Sequence, residues 1–143
     1  MRVLDVGSGP KSKLTSAYLE IEVVRCDKHL YPGVELQDME KLTYPDDSFD
    51  VVVCINALDH TKNPRMAITE MIRVSRGLVY IDCALMQLSQ SGGWHYWDVQ
   101  EDGTFTSKSD EFNIKDFGFE VELVDNGGPR RYNHIHAKYN CSI

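Results

Sequence analysis

The residues best suited to chemistry lie where an apolar run ends in Asp5-Val6-Gly7-Ser8-Gly9-Pro10. A bend built on glycine lets a ligand approach the backbone, and N–H groups exposed where a helix begins favour a negative group. A dinucleotide-binding bend reads G-x-G-x-x-G. Here its third glycine would fall on Ser12, and Pro10 interrupts the pattern. Asp5, two residues before Gly7, points to a ligand that carries positive charge. Asp27 follows Gly7 by about 20 residues, the distance at which an acid accepts hydrogen bonds from ribose hydroxyls. The competing reading of Asp27 is a solvated turn aspartate. Asp38 can accept from an exocyclic amino group and Met39 can pack on an aromatic ring, although Asp38 by itself reads as a surface residue.

Proton transfer would fall to histidine. His60 follows an apolar run and has two readings, a general base or a structural histidine bonded to nearby backbone. Its neighbour Asp59 reads as a solvated loop acid or a helix cap. His95 lies within Trp94-His95-Tyr96-Trp97-Asp98. Such aromatics form an acceptor pocket or lid, or simply cover a thin core. His134 and His136 are two apart on an expected strand and share a face. With no third ligand evident, they read as a solvent-facing pair, with Ile135 and Ala137 packed inward. Cys26, Cys54, Cys83 and Cys141 are scattered, without a C-x-x-C pair. Three of them lie in apolar runs, where cysteine acts as a small hydrophobe. These spacings predict no metal site.

The elements that must position these groups show as apolar runs. Arg2–Val6, Phe49–Ile55 and residues 78–83 are rich in Val, Leu and Ile without clean alternation, as parallel strands buried on both faces are. Residues 21–26 make a fourth candidate strand. Met66, Ile68, Met71, Ile72 and Val74 recur in a roughly helical pattern. Asn63-Pro64 marks the start of that helix, and Arg76-Gly77 its end through a left-handed glycine cap. Strand alternating with helix implies a parallel sheet. Residues 90–107 hold turn signals at Gly92-Gly93 and Asp102-Gly103 and predict a hairpin or lid-like insertion, bounded at about 86–108. Residues 109–116 predict a short helix with Ser107 or Ser109 at its cap. Residues 119–124 and 132–139 predict two strands joined through Asn126-Gly127, an antiparallel hairpin at the sheet edge.

A chain of 143 residues suffices for one domain with one core. Its net charge of −7 repels phosphate backbones, so nucleic acid is not an expected partner. The one adjacent basic pair is Arg130-Arg131. No apolar run approaches the roughly 20 residues of a membrane helix, and the amino terminus lacks a signal pattern. A cytoplasmic, reducing setting with no membrane partner is expected.

Together these pieces resemble the class I S-adenosylmethionine-dependent methyltransferases of the small-molecule type. Val3-Leu4-Asp5-Val6-Gly7-Ser8-Gly9-Pro10 is similar to the family's first motif, in which the third glycine is often relaxed. Asp27 resembles its ribose-binding acid, Lys28 the residue flanking adenine, and Asp38-Met39 its adenine-edge motif. Leu42-Thr43-Tyr44-Pro45-Asp46-Asp47-Ser48-Phe49-Asp50 resembles the phrase L-P-F-P-D-x-S-F-D. Thr43 stands where a proline is common, and Tyr44 replaces the usual aromatic. Residues 51–60 resemble the fourth strand and its loop, where the family often has histidine. Glu70, Arg73 and Val74 match an E-x-x-R-V helix, and Ser75-Arg76-Gly77 shortens the usual L-K-P-G-G turn. The match runs from Val3 to about Ala84 and resumes weakly over residues 117–139.

The resemblance implies an α/β fold, a three-layer Rossmann-like sandwich whose mostly parallel sheet ends in an antiparallel β-hairpin. It implies S-adenosyl-L-methionine as cofactor, bound at Asp5, Gly7, Ser8, Gly9, Asp27, Lys28, Asp38, Met39 and Asn56. His60 and His95 are the catalytic candidates, and the methyl group passes to a small or medium-sized acceptor. Such transfer needs alignment and at most deprotonation, so no covalent nucleophile is expected. Family members usually carry one or two helices before the first strand, whereas this sequence enters its first strand at Arg2. A compact form, or a homodimer partner that supplies the cover, would account for that. Two other functions compete. One is a non-catalytic S-adenosylmethionine-binding regulatory or scaffolding module. The other is a nicotinamide dinucleotide reductase, against which the shortened glycine motif and Asp38-Met39 count.

Overall fold

A computed structural model of the chain describes residues 1–11, 14, 20–85, 95–129 and 133–141. The apolar runs form the centre of a seven-stranded sheet. In chain order these strands are β1 (Arg2–Val6), β2 (Glu22–Asp27), β3 (Glu35–Leu36), β4 (Phe49–Ile55) and β5 (Ser75–Ala84). After β5 come the short strands β6 (Asp98–Val99), β7 (Thr104–Thr106) and β8 (Glu111–Asn113), then β9 (Glu120–Val124) and β10 (His134–Asn140). The large sheet has the order β3-β2-β1-β4-β5-β10-β9, and β6, β7 and β8 form a separate antiparallel sheet. The first five strands of that order are parallel, and β10 runs antiparallel to both β5 and β9. This is the α/β architecture that the resemblance implied. Strand order reverses between β1 and β4, and open α/β sheets bind ligands beyond the carboxyl ends of strands at such a point.

Helix α1 (Pro64–Val74) connects β4 to β5. Asn63 caps it by accepting from the Met66 N–H at 3.3 Å, and Pro64 fills the first turn, where no N–H is needed. Ala67, Ile68, Met71 and Val74 turn one stripe into the core. The opposite end corrects the sequence reading. The C-cap is Ser75 in extended conformation, and its N–H bonds the Ile72 carbonyl. The Asp47 N–H takes the Arg73 carbonyl, so no left-handed glycine is required there. Gly77 lies inside β5 because a Cβ there would sit 2.3 Å from the Asp50 carbonyl oxygen. Its role is close approach of two strands.

Glu70 and Arg73 tie α1 to the segment before β4. The Glu70 carboxylate accepts from the Leu42 N–H at 2.8 Å. Arg73 donates to the Leu42 and Tyr44 carbonyls, to Asp46 and to Glu70 itself. The Arg73 guanidinium holds the Glu70 carboxyl below the usual carboxylate range. The E-x-x-R spacing is therefore a scaffold that fixes the entry to β4.

Two further expectations are corrected. Residues 109–116 form strand β8 and a 3₁₀ turn, Ile114–Phe117, in place of a helix. Phe112 stacks on Phe105 with ring centroids 5.1 Å apart and meets the Trp97 ring edge-on at 5.5 Å. That aromatic packing outweighs the local helix signal. His134 and His136 are half-buried and share one carboxylate in place of facing solvent freely. Asp82 on β5 lies 2.6 Å from His134 Nδ1 and 3.2 Å from His136 Nε2. Their strand neighbours Ile135 and Ala137 are buried, as expected. Within the expected insertion at about 86–108, β6 and β7 pair antiparallel, whereas residues 86–94, Trp94 included, fall outside the described residues. No helix among the described residues is long and apolar enough to cross a membrane.

Candidate functional site

The bend after β1 folds back onto β2. The Gly7 and Ser8 N–H groups both bond the Cys26 carbonyl, at 2.9 and 3.1 Å. The Gly9 N–H donates to Asp27 Oδ2 at 2.9 Å. Asp27 Oδ1 accepts from the His29 N–H at 2.9 Å, so two backbone donors aim this carboxylate. Gly7 has a φ of +67°, and a Cβ on it would fall 2.6 Å from Ala57 Cβ and 3.4 Å from Met39 Cε. Only a residue without a side chain fits between them.

A cavity of about 580 Å³ opens at this point, beyond the carboxyl ends of β1, β2 and β4. Gly7, Asp27, Lys28, Asp38, Met39 and Asn56 line it, and His60 forms part of its wall. Asp5, Ser8 and Gly9 line an adjoining cavity of about 380 Å³, which shares Gly7 and Asn56 with the first. Asn56 has a φ of +52° and marks the turn out of β4. Its Oδ1 accepts from the Ala84 N–H at 3.1 Å, which locks the turn to the end of β5. All nine proposed cofactor-binding positions thus gather around two joined cavities. Asp5 is buried beneath the bend, and its negative charge adds to the burial that pushes the Cys26 thiol up to about 12.

The two catalytic candidates arrive from different walls. His95 lines a separate cavity of about 530 Å³ with Lys62, Tyr96, Trp97 and residues 107–110. Its ring nevertheless lies 4.0 Å from the His60 ring, centroid to centroid. Asp59 borders both rings. Its Oδ2 is in hydrogen-bonding contact with His95 Nδ1, and its Oδ1 lies 4.0 Å from His60 Nε2. Asp59 is buried, with 3% of its surface exposed, which corrects its reading as a solvated loop acid. Sequence reasoning missed it because its partner His95 is 36 residues away. The Tyr96 N–H bonds the Asp59 carbonyl at 2.9 Å, so backbone pairing delivers His95 to this position. The aromatic cluster divides by residue. Trp97 is buried and donates to the Thr61 carbonyl, and it lines the second cavity together with the more exposed His95 and Tyr96.

Residues 4–81 match the profile of the family described as a methyltransferase domain. No curated protein matches the chain at a significant level. Solved structures do. The YcgJ protein of Bacillus subtilis is 18% identical with a TM-score of 0.57, over 97% of this chain and 91% of its own. The CurJ carbon methyltransferase is 14% identical with a TM-score of 0.65, over 99% of this chain and 48% of its own. The 4+2 cyclase SpnF is 23% identical with a TM-score of 0.51, over 63% of this chain and 42% of its own. The chain therefore spans less than half the length of the last two, and these likenesses establish a shared fold.

Proposed function

The chain belongs to the methyltransferase-domain family, and from that premise we propose that it binds S-adenosyl-L-methionine beside β1 and transfers a methyl group to a small or medium-sized acceptor. One observation carries the reading: the bend closed around Gly7 and the aimed carboxylate of Asp27 sit on the same cavity. An ionised carboxylate has about four acceptor sites. Gly9 and His29 occupy two, which leaves capacity for a ribose diol. Asp38 and Met39 lie on the same wall, suited to the edge and face of an adenine ring. The buried charge of Asp5, below the bend, suits a cationic ligand and disfavours a pyrophosphate.

When bound, the cofactor supplies a methyl carbon made electrophilic by its sulfonium. The chain's own part is to align the acceptor and take up its proton. His60, on the wall of that cavity, is the proposed acceptor of that proton. The three-stranded sheet of β6, β7 and β8, with His95 and Tyr96 leading into it, is the proposed acceptor side. The net charge of −7 favours a small molecule over a phosphate backbone.

Titration calorimetry with adenosylhomocysteine, adenosylmethionine and NAD tests the binding step. Saturable binding of the first two and none of NAD is expected, with Asp27→Ala weakening affinity at least ~10-fold, about 1.4 kcal/mol. Absence of saturable binding, or an Asp27→Ala protein that binds like the original, would sink the proposal. A methyl-donor consumption assay across hydroxyl, amine and thiol acceptors then tests transfer, because one fold hosts several chemistries. No consumption with any acceptor, despite tight cofactor binding, would favour a non-catalytic binding module.

A further inference from the structure

We propose that Asp59, His60 and His95 form a binding site for a divalent first-row transition metal ion where the cofactor cavity and the second cavity meet. One ligating atom from each of the three residues lies within 4.8 Å of the others. Coordination at about 2.0–2.2 Å from an ion places such atoms roughly 3–3.6 Å apart. His60 Nε2, 4.0 Å from Asp59 Oδ1, would have to approach, and the His95 Nδ1 contact with Asp59 Oδ2 would have to open, while the ring contact already holds the two imidazoles side by side. The donors stand on fixed backbone: Asp59 and His60 share a 3₁₀ turn, and the Tyr96 N–H pins the chain beside His95 to that turn.

Charge is the second argument. A buried carboxylate needs a cationic partner or a metal ion. The ion pairs among the described residues give Asp59 two imidazoles and no lysine or arginine. Its other surroundings include the buried thiols of Cys54 and Cys83, pushed up by burial and further by the charge of Asp59. A bound ion would offset the buried carboxylate and use both rings. Two nitrogen donors and one oxygen donor favour zinc, cobalt, nickel, manganese or iron over magnesium and calcium. Three protein ligands leave at least one coordination position for water or substrate. His60 and His95 line separate cavities, so the ion would stand between them. With His60 held as a ligand, that ring would no longer serve as the base proposed above, and a hydroxyl coordinated to the ion would release its proton to solvent more readily. That last consequence rests on the proposed methyl transfer; the metal site does not.

The experiment uses the chelator-treated 143-residue chain with no cofactor present. Cobalt(II) is followed by its visible absorption, and zinc(II) by calorimetry. One ion per chain is expected, with a Kd below about 10 μM. His60→Gln and His95→Gln should each weaken binding at least ~10-fold while the far-UV spectrum stays native. His134→Gln and His136→Gln should leave it intact, which separates this site from the imidazoles around Asp82. The proposal is overturned if no ion binds, if His60→Gln and His95→Gln bind normally, or if only the His134 and His136 variants lose binding. Failure to bind would leave Asp59 as a hydrogen-bonded partner of His95. Adenosylhomocysteine binding, measured in parallel on the metal-free protein, keeps failure of this site distinct from failure of the proposed function.

Discussion

Gly7 and Gly9 occupy the same bend with φ angles of +67° and +66°, yet their surroundings differ. An alanine at either position incurs about 1–2 kcal/mol for the left-handed backbone. At Gly9 the added Cβ meets no heavy atom within 4 Å. At Gly7 it lies 2.6 Å from Ala57 Cβ and 3.4 Å from Met39 Cε. The methionine tip can rotate away, but Ala57 Cβ is fixed to buried backbone, so the bend itself must move. Overpacking of that kind costs about 1–3 kcal/mol. The left-handed penalty cancels between the two variants, so Gly7→Ala should be about 1–3 kcal/mol less stable than Gly9→Ala. Urea unfolding at neutral pH measures this as a lower midpoint with unchanged slope. Met39 and Ala57 also line the cavity proposed to hold the cofactor, so adenosylhomocysteine affinity should fall further in Gly7→Ala than in Gly9→Ala. Equal midpoints, or a weaker Gly9→Ala, would refute the packing argument.

Acid stability and thiol chemistry offer two more checks. The Arg76 guanidinium and the Arg2 N–H hold the Asp50 carboxyl down at about 2, from an ordinary 3.8. A lowered folded pKa contributes stability above the unfolded value, and that contribution is lost as pH falls through the folded one. Arg76→Gln should therefore flatten the stability–pH curve between about pH 4 and pH 2 at low salt. An unchanged acid limb would show that the pair contributes nothing. Burial pushes the Cys26 thiol up to about 12 and raises those of Cys54 and Cys83 as well. A chromogenic disulfide reagent should label no thiol but Cys141 in the native protein, and all four in denaturant. Native labelling of a second thiol would contradict the packing of the central strands.

Central strands were legible because they are buried on both faces and read as continuous apolar runs. Arg2–Val6 and Phe49–Ile55 occur with the bounds their composition predicts. The helix start was legible because Asn63-Pro64 acts within one turn. Strand β3 carried no signal: Glu35 and Leu36 are exposed, and only backbone pairing with β2 makes them a strand. At β8, serine and acidic residues gave a helix-start signal, while stacking of Phe112 on Phe105 decided the outcome. Gly77 was misread because its constraint, the Asp50 carbonyl, lies on another strand.

The cavity beside β1 and the histidine cluster divide in the same way. Gly7 and Gly9 follow the end of β1 and Asp27 is the last residue of β2, its parallel neighbour, so strand order alone brings them together, and the sequence by itself determined their neighbourhood. Asp59 and His95 are 36 residues apart, and Asp82 is 52 from His134. Whether such a carboxylate meets solvent or an imidazole depends on which distant strand or loop is laid over it. Burial is a property of the assembled chain, so the chemistry of Asp59 and Asp82 was decided by tertiary structure alone.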